Sequence, residues 1–139
     1  MRVVIIGGGI AGVSIGYELA DDFDVTLLEA ESSLAMHTTG RSAATWIGSY
    51  GPEQVRYWSH ESLPWLLDPP IAVDGPLATD MSCLWVAPAG DEQALRDMVH
   101  ETHIEILSVP EACEFNPVLR PEAFALAAVD HEAKDLDVA

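Results

Sequence analysis

Three glycines near the N-terminus have the spacing of a phosphate-binding turn. Gly7, Gly9 and Gly12 form a G-x-G-x-x-G pattern between the apolar run RVVIIG (residues 2–7) and a helical pattern at residues 9–20. In such a turn the first glycine permits the tight bend and the second lets a pyrophosphate approach the backbone. The third lets the helix pack closely on the strand. The helix N-terminus then offers free N–H groups and a positive dipole end to phosphates.

An acidic residue follows at the position where a nucleotide ribose is bound in this arrangement. Glu29 ends a second predicted strand, DVTLLE (residues 24–29), 22 residues after Gly7. A carboxylate there accepts hydrogen bonds from ribose hydroxyls. It repels a 2′-phosphate, which disfavours NADP. The alternative is a glycine-rich turn and a surface glutamate with no ligand, and the pattern does not by itself separate NAD from FAD.

A stretch of small and polar residues follows the second strand. HTTGRSAA, residues 37–44, contains no large apolar side chain and lies within a loop-like segment at residues 30–51. Such a segment cannot contribute much to a core. Its composition indicates a ligand-binding loop.

Taken together, these motifs resemble the FAD-dependent D-amino-acid oxidase superfamily, which includes glycine and sarcosine oxidases and D-amino-acid dehydrogenases. The resemblance is carried by VVIIGGGIAG, VTLLEAE and HTTGRSAA, in that order. The longer pattern HTTGRSAATWIGSYGPEQVRYWS, followed by LDPP, is most similar to the D-arginine dehydrogenase type. The similarity extends over essentially the whole chain, and it implies the N-terminal portion of such an enzyme.

The resemblance implies that FAD is the cofactor and that the small-residue loop lies along it. Hydroxyl groups of the loop can hydrogen-bond ribityl or phosphate oxygens, and Arg41 can pair with the diphosphate. Gly40 lets the backbone pass close to the ring, and two alanines leave room for it. The alternative for Arg41 is a surface ion pair. The predicted FAD-binding residues are Gly7, Gly9, Ile10, Ala11, Gly12, Glu29, Thr38, Thr39, Gly40, Arg41, Ser42, Ala43 and Ala44.

One aromatic residue corresponds to a substrate-pocket position of the most similar type. Tyr50 matches a tyrosine that borders the substrate there, and the alternative is a half-buried packing aromatic. Thr45 stands where that type carries a substrate-contacting histidine, and the neutral Cys83 falls near the expected acidic residue. Both departures argue against arginine as the substrate and predict a neutral or apolar side chain on it.

The predicted fold class is α/β: a Rossmann-like FAD-binding β-α-β unit, followed by the start of an α+β substrate domain, incomplete in this chain. Predicted boundaries are 1–51 for the FAD-binding part, 52–130 for a substrate-domain segment and 131–139 for a return toward the FAD-binding domain. Helices are expected at residues 52–62, 91–103 and 111–124, with Pro64 bending or ending the first and Pro117 breaking the last. Strands are expected at residues 82–88 and 124–130.

The composition of the chain limits the kinds of molecule that it can bind. The chain has 139 residues, with 23 acidic and 6 basic side chains and a formal net charge of −17. This charge repels nucleic acid and anionic membranes. No apolar run reaches the roughly 18 residues of a membrane span, and MRVVIIGGG is too short for a secretory signal, so a cytoplasmic location is expected.

Several other residues favour structural roles. Cys83 and Cys113 are predicted to be reduced thiols rather than a disulfide. His100 and His103 lack the H-E-x-x-H spacing of a zinc site, so no metal is expected. His37 is predicted to be an ordinary loop histidine rather than a flavin attachment point.

The predicted function is oxidation of the CH–NH bond of a D-amino acid or small amine. By resemblance, hydride passes to the flavin and water hydrolyses the imine. One alternative is a truncated, non-catalytic fragment, or an FAD-binding subunit that needs a second polypeptide. Another is an NAD-dependent dehydrogenase. The isolated chain is expected to lack turnover, because the first strand would keep an unpaired edge and an uncovered apolar face.

Overall fold

The computed structural model describes residues 1–71 and 73–138. Within these ranges the chain divides into two compact units, which comprise Met1–Ala44 with Val138 and Thr45–Asp137. The assignment of parts of the chain to an FAD-binding and a substrate domain, with boundaries at 51 and 130, stays a prediction.

The first unit is a β-α-β element. Strand β1 (Arg2–Ile6) leads into helix α1 (Ile10–Leu19), which returns the chain to strand β2 (Asp24–Leu28). The two strands pair in parallel, with Arg2 opposite Asp24 and Ile6 opposite Leu28. The predicted strand–turn–helix–strand order is confirmed.

One face of this two-stranded sheet packs against α1, and the other is exposed. Ile5 and Val25 lie beneath Gly16 of the helix. Side chains on the opposite face are open to solvent, with Ile6 88% and Val4 54% exposed. Among the described residues β1 pairs with β2 alone, so the predicted unpaired edge and uncovered apolar face are both present.

The second unit contains the other nine helices and strands of the described chain. In chain order these are β3 (Thr45–Trp46), α2 (Glu53–Leu67), β4 (Ala78–Asp80), β5 (Cys83–Ala87), α3 (Glu92–Thr102), β6 (Glu105–Leu107), α4 (Val109–Phe115), β7 (Leu126–Asp130) and β8 (Lys134–Leu136). The strands form two antiparallel sheets, ordered β3-β8-β4 and β5-β7-β6.

Strand β7 is the centre of the core of this unit. All five of its residues are buried. Ala127 and Val129 pack with Ala112 of α4 on one face, whereas Leu126 and Ala128 pack with Leu95 of α3 on the other. Helices therefore cover both faces of the β5-β7-β6 sheet, which explains why β7 reads as a continuous apolar run.

Two helices differ in their bounds from the sequence prediction. Helix α2 does not end at Pro64 but continues to Leu67, because the Pro64 carbonyl still accepts the Asp68 N–H at 2.9 Å. Helix α4 begins at Val109, two residues earlier than expected, because Ser108 and Glu111 form a capping box. A separate 3₁₀ turn at Pro121–Ala123 replaces the predicted continuation beyond Pro117.

Candidate functional site

The glycine turn joins β1 to α1 with very little space. Gly7 has φ +99°, a conformation that side chains other than glycine rarely adopt. Its N–H donates to the Leu28 carbonyl at 2.8 Å, so the parallel ladder extends into the turn. A Cβ on Gly12 would overlap the Gly7 carbonyl oxygen. The third glycine thus permits the close packing of helix on strand that the spacing predicts.

The first turn of α1 presents backbone donors. The Ile10 N–H donates to Thr39 Oγ1 at 3.0 Å. The N–H groups of Ala11 and Gly12 have no acceptor within residues 1–71 and 73–138. The first turn also carries no acidic side chain. Unpaired N–H groups at a helix N-terminus are a setting that favours an anion.

Glu29 is held in place by three backbone N–H groups. Its Oε2 accepts from Gly8 at 2.7 Å, and its Oε1 accepts from Ala30 at 2.7 Å and Glu31 at 3.0 Å. The hydrogen bond from Glu31, followed by those from Gly8 and Ala30, lowers the pKa of Glu29. A carboxylate offers about four acceptor positions. One position on Oε2 therefore remains for a further donor.

A small cavity of about 160 Å³ lies beside this carboxylate. Its lining consists of Gly9, Glu29 and the segment at residues 35–39. The segment is tied to the glycine turn, because the Ala35 N–H donates to the Gly8 carbonyl at 3.1 Å. The glycine turn, Glu29 and the start of the small-residue loop therefore form one continuous surface.

The small-residue loop folds as a 3₁₀ turn at Thr39–Arg41 between two positions of positive φ, Ala35 and Ala44. Gly40 packs tightly, and a Cβ there would overlap the Ala35 carbonyl oxygen. Local packing therefore requires a glycine at position 40, a reason that the sequence alone does not show.

Exposed polar side chains cover this loop. Thr38, Arg41 and Ser42 are exposed. Arg41 makes no ion pair with any carboxylate of the described chain, so the alternative of a surface ion pair has no support here. His37 contacts Glu31, with 2.8 Å between Nε2 and Oε1.

The predicted substrate residue belongs to the second unit. Tyr50 is 60% exposed, and its ring stacks on Trp85 with 6.2 Å between centroids and 8° between planes. Thr45 lies in β3 opposite Asp135. Cys83 lies opposite Asp130 in the β5-β7 pair. Burial, and then the Asp130 carboxylate, raises the pKa of the Cys83 thiol.

A larger cavity of about 1200 Å³ lies within the second unit. Its lining includes Arg56, His60, His103, Asp130 and His131. Among the described residues, no group of three or more His, Cys, Asp or Glu side chains is arranged to hold a metal. No helix in the described ranges is long and apolar enough to cross a membrane.

Three contacts of these surfaces were not predicted. They are the Gly8–Glu29 hydrogen bond, the Ile10–Thr39 hydrogen bond and a buried bond from Ser49 Oγ to Asp130 Oδ2 at 2.6 Å. The partners are far apart in sequence, and no spacing rule connects them. For the bond between Ser49 and Asp130, the sequence offers one indication: Asp130 is an acidic residue at the end of an otherwise apolar strand, β7.

Comparison with solved structures shows the same fold in part of three oxidases and dehydrogenases. The chain matches reduced L-α-glycerophosphate oxidase from Mycoplasma pneumoniae, a structure with FAD bound, with a TM-score of 0.79 and 21% identity over 99% of this chain. It matches glycine oxidase from Geobacillus kaustophilus with a TM-score of 0.72 and 18% identity over 97%. The match to L-proline dehydrogenase from P. horikoshii has a TM-score of 0.65 and 20% identity over 99%.

The chain spans 39%, 40% and 38% of the lengths of these three proteins, respectively. The sequence profile described as FAD dependent oxidoreductase (DAO) matches residues 2–137, nearly the whole chain. FAD is the cofactor of that family, and the mixed α/β fold agrees with it. This protein therefore belongs to the DAO family of FAD-dependent oxidoreductases.

Proposed function

We propose that this chain is the FAD-binding portion of an oxidoreductase that acts on the CH–NH bond of a D-amino acid or small amine. The observation that carries the proposal is the surface around the glycine turn. It combines two unpaired N–H groups of α1, an anchored carboxylate and an exposed arginine without an ion-pair partner in the described chain.

The residues of this surface fit the chemical groups of FAD. Ala11 and Gly12 donate N–H groups to diphosphate oxygens, and Arg41 pairs with the same negative charge. The remaining acceptor position on Glu29 Oε2 takes a hydroxyl of the adenosine ribose. Hydroxyls of Thr38 and Ser42 are exposed and can donate to ribityl or phosphate oxygens. The other predicted FAD-binding residues, from Gly7 to Ala44, supply the backbone that shapes this surface.

In the proposed reaction the cofactor and the protein have different roles. When bound, FAD supplies the two-electron acceptor for the oxidation. The chain's own groups bind and orient the reactants, and we assign contact with the substrate carboxylate to the exposed phenol of Tyr50. Its stacking on Trp85 limits the directions in which this phenol can point.

The substrate class rests on the neighbouring proteins and on two residues of this chain. Glycine oxidase and L-proline dehydrogenase are named for amino acids, whereas L-α-glycerophosphate oxidase is not. Thr45 and Cys83 are uncharged, which supports a substrate with a neutral side chain over D-arginine. The preference for a D-amino acid rests on the sequence resemblance.

A second polypeptide that completes the fold remains part of the proposal. The exposed face of β1 and β2 carries Val4, Ile6 and Leu28, and large exposed apolar surfaces mark contact sites. We propose that this chain alone holds FAD weakly and has no turnover, as a truncated fragment or isolated subunit would. We also place the protein in the cytoplasm.

FAD binding is tested by titrating the chain with FAD and with FMN, which lacks the adenosine ribose. Glu29→Gln should weaken binding of FAD more than binding of FMN, because only FAD reaches Glu29. Glu18→Gln is the control, since it removes the same charge from an exposed position of α1 that does not line the cavity beside Glu29. Equal losses for both flavins would remove Glu29 from the ribose site.

The same titration, repeated with NAD, distinguishes an FAD-dependent from an NAD-dependent enzyme. Tighter binding of NAD than of FAD would favour an NAD-dependent dehydrogenase.

Turnover is tested with a panel of D-amino acids, their L-enantiomers and N-methyl amines. An active preparation of this chain alone would contradict the proposed incompleteness, and a preference for D-arginine would contradict the assignment of Thr45 and Cys83.

A further inference from the structure

A buried hydrogen bond fastens the loop that carries Tyr50. Ser49 is 6% exposed and Asp130 is 5% exposed. Ser49 Oγ donates to Asp130 Oδ2 at 2.6 Å, and Asp130 Oδ1 accepts the Glu132 N–H at 2.9 Å. Both carboxylate oxygens are therefore satisfied, as burial of a charged group demands. The bond joins the residue before Tyr50 to the end of the central strand β7.

A second fastening lies on the other side of Tyr50. Arg56 Nη1 donates to the Gly51 carbonyl at 2.6 Å. The same guanidinium contacts Glu101 of α3, with 3.1 Å between Nη2 and Oε2. The residue after Tyr50 is thus tied, through Arg56, to a helix packed on the β5-β7-β6 sheet.

The platform beneath Tyr50 has a feature that its packing alone does not explain. Trp85 Nε1 is buried and has no hydrogen-bond partner in the described chain. A buried N–H group without a partner is destabilising, and a phenylalanine would avoid that cost. The stacked contact of the indole with Tyr50 is a reason to keep the tryptophan.

From these contacts we infer that Ser49, Asp130 and Arg56 are positioning residues for Tyr50. They hold the Tyr50 loop, residues 47–51, on both sides of Tyr50, so that its ring stays on Trp85 and its phenol keeps one direction. The catalytic part of this inference rests on the proposed function, in which Tyr50 contacts the substrate. The positioning part does not depend on it.

The position of Tyr50 is measured without any cofactor or substrate. The protein is labelled with 5-fluorotryptophan, and the ¹⁹F signal of Trp85 is assigned with Trp85→Phe. Tyr50→Leu gives the signal of an unstacked Trp85. Ser49→Ala should move the Trp85 signal toward that position, and Ser49→Thr, which keeps the hydroxyl, should restore it.

A matched control and a second variant complete this experiment. Ser62→Ala removes an exposed hydroxyl of α2 that bonds the Ser59 carbonyl, and it should leave the Trp85 signal unchanged. Arg56→Met removes the fastening at Gly51 and should move the signal even if Ser49→Ala does not fold. A Trp85 signal that stays in place in folded Ser49→Ala or Arg56→Met protein overturns the inference.

Turnover by the protein in its completed form, with the second polypeptide that the proposed function requires, tests the catalytic part. Ser49→Ala should lower kcat/KM by about 10- to 100-fold, the effect of a displaced contact group. Adding Ser49→Ala to Tyr50→Leu should cause no further loss, and an additive loss overturns the positioning role. If Tyr50→Leu alone keeps full kcat/KM, the substrate role of Tyr50 fails, while the ¹⁹F experiment still decides the positioning.

Discussion

Two glycines of α1 should respond in opposite ways to the same substitution. A Cβ on Gly12 would fall well inside 3.0 Å of the Gly7 carbonyl oxygen, a backbone atom that cannot rotate away. A Cβ on Gly16 would lie 3.5 Å from Ile5 Cδ1 and 4.0 Å from Val25 Cγ1, which are ordinary contacts. The two positions therefore differ in packing and share the same helix.

The magnitudes follow from this difference. Overpacking costs about 1–3 kcal/mol, and replacing a helical glycine by alanine gains at most about 1 kcal/mol. Because the obstacle at Gly12 is backbone, Gly12→Ala should lose about 2 kcal/mol. Gly16→Ala should stabilise the helix by about 0.5–1 kcal/mol, since the alanine side chain makes only ordinary contacts and the higher helix propensity of alanine remains.

Hydrogen–deuterium exchange of the α1 peptide, read by mass spectrometry, reports the free energy of opening of this helix. The two variants should differ by about 3 kcal/mol, roughly two orders of magnitude in the opening equilibrium. Equal protection in the two variants would refute the packing argument, as would a Gly12→Ala helix at least as protected as the unmodified one.

Three further predictions concern the side chains of Cys83, Glu29 and Ser108. In a Cys113→Ser background, Cys83 should react with a disulfide reagent more slowly at pH 8 than free cysteine does, because burial and Asp130 raise its pKa; Asp130→Asn should quicken the reaction. The lowered pKa of Glu29 means that its stabilising effect is present above the unfolded-state pKa and lost as pH falls through the folded-state pKa. By NMR, the Gly8 amide should therefore titrate below the usual glutamate range, and Glu29→Gln should abolish that titration. Ser108→Ala should cost about 1 kcal/mol in urea unfolding through loss of the cap of α4.

The sequence predicts the first unit well because its signals are local. RVVIIG is a continuous β-branched run that ends at a glycine, and Glu29 closes the next strand at the expected distance. Both features depend on neighbours within a few residues. The structure accordingly has β1, α1 and β2 within one or two residues of the predicted bounds.

The sequence predicts less of the second unit because its short strands depend on distant partners. β4, β6 and β8 have three residues each, and β3 has two. β8 exists as a strand because Thr45 and Ala78, far away in the chain, pair with its residues. Segments of two or three residues carry no periodicity, so no pattern could have identified them.

For the candidate site, too, the sequence predicts local features but not contacts between distant segments. The residue types of the glycine turn and of Glu29 were visible in the sequence. The Gly8 N–H that bonds Glu29, and the Thr39 hydroxyl that accepts from Ile10 of α1, come from segments more than 20 residues away, and no spacing rule connects them. The partner of Ser49 lies 81 residues away, and that separation explains why its role could not be predicted.

The small side chains of β7 limit how this protein can change over evolutionary time. Ala127 and Ala128 are fully buried on opposite faces of one strand. A larger side chain at either position would press against the helix packed on that face, because protein interiors are close-packed. Random drift at these two positions is therefore confined to exchanges among the smallest residues. Any larger change requires a compensating reduction in a side chain of α3 or α4, so the strand and its helices must evolve together.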